Sequence, residues 1–504
     1  MRYRDWRLWL TVGLALAGWP EWVRAEAPRG ADALYKQYCA ECHHPERLGA
    51  MGPALLPENL DRFPKKEAAA VIAKGRPATQ MPGFETQLSA DEIQELVKRI
   101  YTPLATPPVW DEAAIKASHV IHHANATLPD KPVHAADLMN LFMVVELGDH
   151  HVTVLNGDAL APIHRFPSRF AVHGGIKYSP DGRFAYMASR DGWVSRFDLF
   201  GLQMTHEVRV GVNTRNMAVS GDGRFVMAAN TLPQNLVVLD AADLSLVKVI
   251  PVVNPKGERS RPSAVYTAAP RNSFIVALKD LPEVWEIPYH DKGAKESFPI
   301  RRIELDAILD DFFFDQPYRH LIGASRTAAS GQVIQLDEGR KIAAIDIAGM
   351  PHLASGITWP YQDTLVMATP NLKEGEVTVV DLNTWKTIKK IPTLGPGFFM
   401  RSHENTPYAW VDVFFGPNKD AVHVIDKRTL EIVKTLRPAP GKTAAHVEFT
   451  KDGRYALLSI WDMDGALVIY DGNTLEEVKR IPMKKPSGKY NVSNKINRSA
   501  GTSH

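Results

Sequence analysis

Three stretches of this chain repeat one another: YSPDGRFAYMASRDGWVSRFDL from residue 178, VSGDGRFVMAANTLPQNLVVLDAADLSLVKVI from 219, and FTKDGRYALLSIWDMDGALVIYDGNTLEEVKRI from 449. Each reads as an Asp-Gly turn, an alternating apolar strand, a loop, a second strand ending in Asp, a turn and a third strand. One such unit cannot bury its own apolar face, so copies must pack side by side. The turns at Asp181 and Asp222 are 41 residues apart, and those at Asp222 and Asp452 are 230 apart, which is five units of about 46. GQVIQLDEGRKIAAIDI and GEVTVVDLNTWKTIKKIP are weaker copies of the second and third strands. Short strands at this period argue an all-β propeller. About eight blades fit between residues 135 and 485, although the period alone does not separate seven from eight.

The first hundred residues read differently. MRYRDWRLWLTVGLALAGWPEWVRAEAP has early arginines, an apolar run from Leu8 to about Trp19 and small residues at Val23 and Ala25. That is the pattern of a secretory signal peptide over 1–25, and the run is short for a membrane span, with an uncleaved anchor as the rival reading. Export implies a periplasmic protein. In YCAECHH the only two cysteines, Cys39 and Cys42, stand two apart with His43 directly after them. A zinc site would need more ligands than this chain supplies at suitable spacing. A periplasmic dithiol is conceivable, but C-x-x-C-H is the attachment signature for heme c. The two thiols form thioethers with the vinyl groups, and His43 ligates the iron.

A sixth ligand is wanted, and GRPATQMPGF offers Met81 on a Pro-Gly loop. Methionine opposite histidine raises the heme potential and suits electron transfer. SADEIQELVKRIYTPL then predicts a closing helix, with a Ser89…Glu92 capping box and an apolar face at Ile93, Leu96, Val97, Ile100 and Tyr101. TPLATPPVWDE reads as a stiff linker. The order of helix, CxxCH, methionine loop and closing helix resembles a small class I cytochrome c, so the expected layout is a small all-α cytochrome c domain over 26–102, a linker over 103–118 and the propeller over 119–504.

Around the propeller, histidines and arginines fall in loops or just before strands: His173, Arg190, Arg215, His352, Arg401, His403 and His446. Imidazoles ligate iron, and guanidinium groups pair with carboxylates, so a second tetrapyrrole would suit them. Taken singly, each reads more readily as a turn or surface residue than as a ligand. The formal charge of +2 gives no hint of nucleic-acid or strong membrane-surface binding.

A CxxCH domain followed by this propeller resembles the cytochrome cd1 nitrite reductase family and its relatives over essentially the whole mature chain. In that resemblance FAVHGG matches the proximal histidine of heme d1 at His173. SRDG and NTRN match arginines at Arg190 and Arg215, and GMPHLASGITWP matches a distal histidine at His352. Nitrite reductases carry a second distal histidine, where this chain reads VMATPNLKEGE with Thr369-Pro370. Conversely, KTAAHVEFTKDGRYALL places His446 where the reductases have a small residue, and KKPSGKYNVSN adds Tyr490. This pattern resembles the dihydro-heme d1 dehydrogenase branch. The resemblance implies oxidation of a propionate side chain of dihydro-heme d1 to an acrylate, the last step of heme d1 biosynthesis. His446 would be the base and Tyr490 its positioning partner. His173 and His352 would face the iron, and Arg190, Arg215, Arg261 and Arg401 the carboxylates. Electrons would leave through heme c to a periplasmic acceptor, and a cytochrome cd1 nitrite reductase would receive the product. The rivals are a nitrite reductase with an unusual distal side and a non-enzymatic heme d1 carrier.

Overall fold

The computed structural model describes residues 29–61, 63–76, 80–123, 127–172, 175–289, 298–325, 328, 330–347 and 350–497. The expected signal peptide and His173 lie outside these residues. In the N-terminal domain, helices Ala31–Tyr38, Lys65–Lys74 and Ala90–Ile100 enclose a core that includes Leu34, Tyr35, Ala68 and Ile72. The last helix starts as expected. The Ser89 hydroxyl accepts from Glu92 N at 3.2 Å, and the Glu92 carboxylate accepts from Ser89 N at 2.9 Å. Its buried face is Ile93, Leu96, Val97 and Ile100.

The linker departs from expectation. Its second half is docked structure: Asp111 caps a short helix, Glu112–Ala117, and Ile115 is fully buried in the propeller core beside Trp110. Val120–Ile121 then pairs with His206 and Glu207 as a fifth strand on the outer edge of one blade. An apolar Trp-x₄-Ile spacing next to a capping aspartate outweighs the stiffening by the prolines before it.

Eight antiparallel sheets follow. The inner strands are Lys177–Tyr178, Asn213–Val219, Pro262–Ala268, Asp311–Phe314, Ile357–Tyr361, Met400–Ser402, Ala444–Phe449 and Pro486–Asn491, and all but Ile357–Tyr361 put residues on the central cavity. The last of these comes from the C-terminal end of the chain and pairs with Leu141–Glu146, so the two ends of the propeller share one blade. The Asp-Gly repeats are the turns between inner and second strands. The Ser179, Ser220 and Thr450 hydroxyls bond Asp181, Asp222 and Asp452, and the following glycines take φ of 76°, 73° and 74°.

The two domains are packed together. Leu48, Ala54 and Leu56 of the first meet Val212 of the second. The Arg209 guanidinium stacks on Trp110 and donates to the Leu48 and Gly49 carbonyls. Asn59 Nδ2 donates to Val212 O at 2.8 Å, and Asn213 Nδ2 to Glu58 O at 2.9 Å.

Candidate functional site

A single cavity of about 1710 Å³ runs between the domains and down the propeller axis. Cys39, Cys42, His43 and Met81 line it from one side, and Arg190, Arg215, His352, Arg401, His446 and Tyr490 from the other.

At the cytochrome end the thiols of Cys39 and Cys42 are unbridged and half-buried. His43 is buried, and its Nδ1 donates to Pro53 O at 2.8 Å, which fixes the tautomer and leaves Nε2 for a metal. The backbone at Gly52 passes so close that a Cβ there would lie 2.6 Å from His43 Cε1. The Met81 loop folds back on helix Lys65–Lys74: Arg76 N donates to Met81 O at 3.1 Å, and Phe84 N to Ile72 O at 3.0 Å. Two free thiols, an oriented imidazole and a methionine on one cavity wall fit heme c.

At the propeller end, several residues that the sequence placed in loops stand within inner strands. Arg215, Arg401 and His446 do so, and Tyr490 stands in another inner strand. Strands at the axis have no inner neighbour, so their side chains can point into the shaft and still belong to the sheet. His446 sits in a bulge between Ala445 and Glu448, at φ 57°. A bulge re-aims a side chain at the cost of regular pairing. The His446 ring is buried, 4.5 Å from the Phe399 ring and 5.5 Å from that of Tyr490. Burial first, then the charges of Lys489, Arg401 and Lys495, hold its pKa well below the usual imidazole value. It is therefore neutral near pH 7 and able to accept a proton. Burial raises the Tyr490 hydroxyl to about 12, keeping it protonated.

Among the cations, Arg401 is buried, with Nε 3.5 Å from Glu448 and Nη1 without a hydrogen-bond partner among the described residues. Arg215 donates through Nε to Ser263 O at 3.1 Å, and Arg190 Nη1 lies 3.1 Å from Asp61 of the cytochrome domain. Arg261 is brought elsewhere. It is absent from the cavity lining, and its guanidinium is held by Asp280 at 2.5 and 2.9 Å, so its own neighbour occupies the fork. His403 also lies off the cavity, accepting from Asn405 N at Nδ1 and donating to Lys451 O at 3.1 Å. His352 lines the cavity with Nδ1 bonded to Phe398 O at 2.5 Å and Nε2 3.9 Å from Asp311. The Phe398 carbonyl thus pins this ring, which stands in the Gly-flanked stretch GMPHLASG.

Four groups near the site were not anticipated. Lys177 and Lys495 add amino groups to the wall; burial first, then Arg401, brings Lys177 down to about 8 and lowers Lys495 well below the ordinary lysine value. Lys489 is fully buried, donates to His446 O and is brought down to about 7 by burial. Asp412, also fully buried, accepts the His446 N–H at 3.2 Å. Neither Lys489 nor Asp412 has a motif around it; only the closing of the blades makes them neighbours of His446.

Thr369 and Pro370 are buried in strand Thr364–Pro370, and Pro370 O accepts from His352 N at 2.9 Å. Among the described residues, the histidines on the cavity are His43, His150, His352 and His446.

Comparison with known proteins agrees with this layout. The Cytochrome D1 heme domain family model matches residues 136–495, and that of cbb3-type cytochrome c oxidase subunit III matches 26–98. The dihydro-heme d1 dehydrogenase of Pseudomonas aeruginosa is 56% identical, covering 98% of this chain and 99% of its own. A solved dihydro-heme d1 dehydrogenase in complex with DHE superposes with a TM-score of 0.90 at 56% identity, over 94% of this chain and 100% of that one. The nitrite reductase of Stutzerimonas stutzeri is 24% identical over 97% of this chain and 96% of its own. With a cytochrome c domain and an eight-bladed propeller opening on one cavity, the chain belongs to the dihydro-heme d1 dehydrogenase family, among the proteins that carry a cytochrome d1 heme domain.

Proposed function

We propose that this protein is an oxidoreductase that dehydrogenates one propionate side chain of dihydro-heme d1 to an acrylate, completing heme d1. Two C–H bonds break and one C=C bond forms, so two protons and two electrons must leave. The observation that carries the reading is the single cavity, which presents a buried neutral imidazole at one end and the heme c attachment residues at the other. His446 takes a side-chain proton on a dry wall made by Phe399 and Tyr490, where a base meets little competition from water. Tyr490 donates a hydrogen bond to the reacting side chain. Arg190, Arg215 and Arg401 pair with the other carboxylates and so choose which propionate reaches His446. His173 and His352 would be the residues that hold the tetrapyrrole iron, as the resemblance implies. Cys39 and Cys42 would hold heme c through thioethers, and His43 and Met81 would be its iron ligands. When bound, that heme accepts the electrons one at a time.

The expected signal peptide puts the reaction in the periplasm, where a cytochrome cd1 nitrite reductase receives the product and a periplasmic electron acceptor reoxidises the protein. Among the described residues no helix is long and apolar enough to cross a membrane. Incubating the heme c-loaded protein with dihydro-heme d1 and an oxidant, then extracting the tetrapyrrole, gives the test. A product two hydrogens lighter supports the reading. Unchanged tetrapyrrole, or nitric oxide formed from added nitrite, supports a carrier or a reductase instead.

A further inference from the structure

Asp412 ends the second strand of its blade, Tyr408–Asp412, and is fully buried. Its Oδ1 accepts from Phe398 N at 2.7 Å and Phe399 N at 3.0 Å, and its Oδ2 from His446 N at 3.2 Å. Both anchored segments lead to a histidine. The Phe398 carbonyl accepts from His352 Nδ1, which turns His352 Nε2 away from that carbonyl, and the two rings lie 4.2 Å apart. The Phe399 ring packs 4.5 Å from the His446 ring. His446 itself holds a positive φ, a conformation that a side chain bearing a Cβ keeps only where its surroundings impose it. A buried carboxylate that accepts three N–H bonds supplies such an imposition, and Lys489 is the charged group that acts on it.

We infer that Asp412 is a positioning residue for both histidines at once, so that the distal surroundings of the tetrapyrrole iron and the placement of the His446 base are set by one carboxylate. The inference rests on the cavity being the dihydro-heme d1 site.

The test uses the full-length, heme c-loaded protein carrying Asp412→Asn. The amide keeps the shape but turns one accepting oxygen into a donor, facing either His446 N–H or the Phe398 and Phe399 N–H pair. Turnover is expected to fall about tenfold or more, the usual consequence of losing a buried charge-assisted hydrogen bond. Dihydro-heme d1 should still bind, and the absorption and EPR spectra of the bound iron should move in the direction given by His352→Ala. If the amide variant yields no loaded protein, Asp412→Ser, with a smaller acceptor, is read for the same pair of changes. A slower enzyme with the parental iron spectrum would overturn the coupling, as would parental rate and spectrum together. His446→Ala is run alongside. If it turns over at the parental rate, the proposed reaction site has failed; if it is inactive while Asp412→Asn behaves as the parent, only the coupling has.

Discussion

At His446 the strand bulges, the backbone turns to a positive φ, and a neutral imidazole meets the cavity. Binding and chemistry should separate at this residue. His446→Ala is expected to load heme c and bind dihydro-heme d1, yet form the acrylate about a hundredfold more slowly, as for loss of a general base. Tyr490→Phe keeps the ring and removes only the hydroxyl, so its loss should be smaller; single-turnover product analysis by mass checks both. The pH dependence has a defined sign. Because burial lowers the His446 pKa, the free base persists below the ordinary imidazole range, and its contribution to turnover should be flat across neutral pH and decline only in acid. In the sequence His446 stands out only as a departure from the reductase pattern. Asp412 and Lys489 carry no signal there, since their significance lies in which strands close around them.

Among the elements, the helix Ala90–Ile100 and the Asp-Gly turns follow from local chemistry, a capping box and glycines at positive φ, and so were legible in the sequence. The helix inside the supposed linker was not, because its stability comes from burying Ile115 against a blade rather than from propensity. The Gly-Pro segment after CxxCH shows the same dependence on packing. An alanine at Gly52 would place its Cβ 2.6 Å from His43 Cε1, so Gly52→Ala must push the imidazole aside. The expected outcome is a covalently loaded protein of parental heme mass whose low-spin ferric spectrum is weakened or lost. A parental spectrum would show that the loop yields instead of the ring.

For the whole molecule, buried histidines tie stability to pH. His423 is 2% exposed, accepts from Leu394 N at Nε2 and bonds Thr435 at Nδ1, and burial pushes its pKa down to about 4. The unfolded chain takes up that proton near pH 6.5 and the folded one does not, so folding weakens as pH falls from 6.5 towards 4. The loss is about 1.4 kcal/mol per pH unit for such a group. Asp412, raised to about 6 by burial, acts in the opposite sense below that pH. Denaturant midpoints at pH 7.5 and 5.5 should therefore differ less in His423→Gln than in the parent. What the sequence determined by itself was whatever is written in neighbouring residues: the CxxCH group, the capping box, the turn chemistry and a period that demands stacked blades. Which residues share the cavity was decided by closure. Tyr490 and Lys489 reach the axis because the C-terminal strand pairs with Leu141–Glu146, more than three hundred residues earlier in the chain. Arg261 leaves the site because Asp280 is folded against it. Pairings at such separation are set by burial of the whole propeller and by satisfaction of its buried polar groups, quantities that no local window of residues contains.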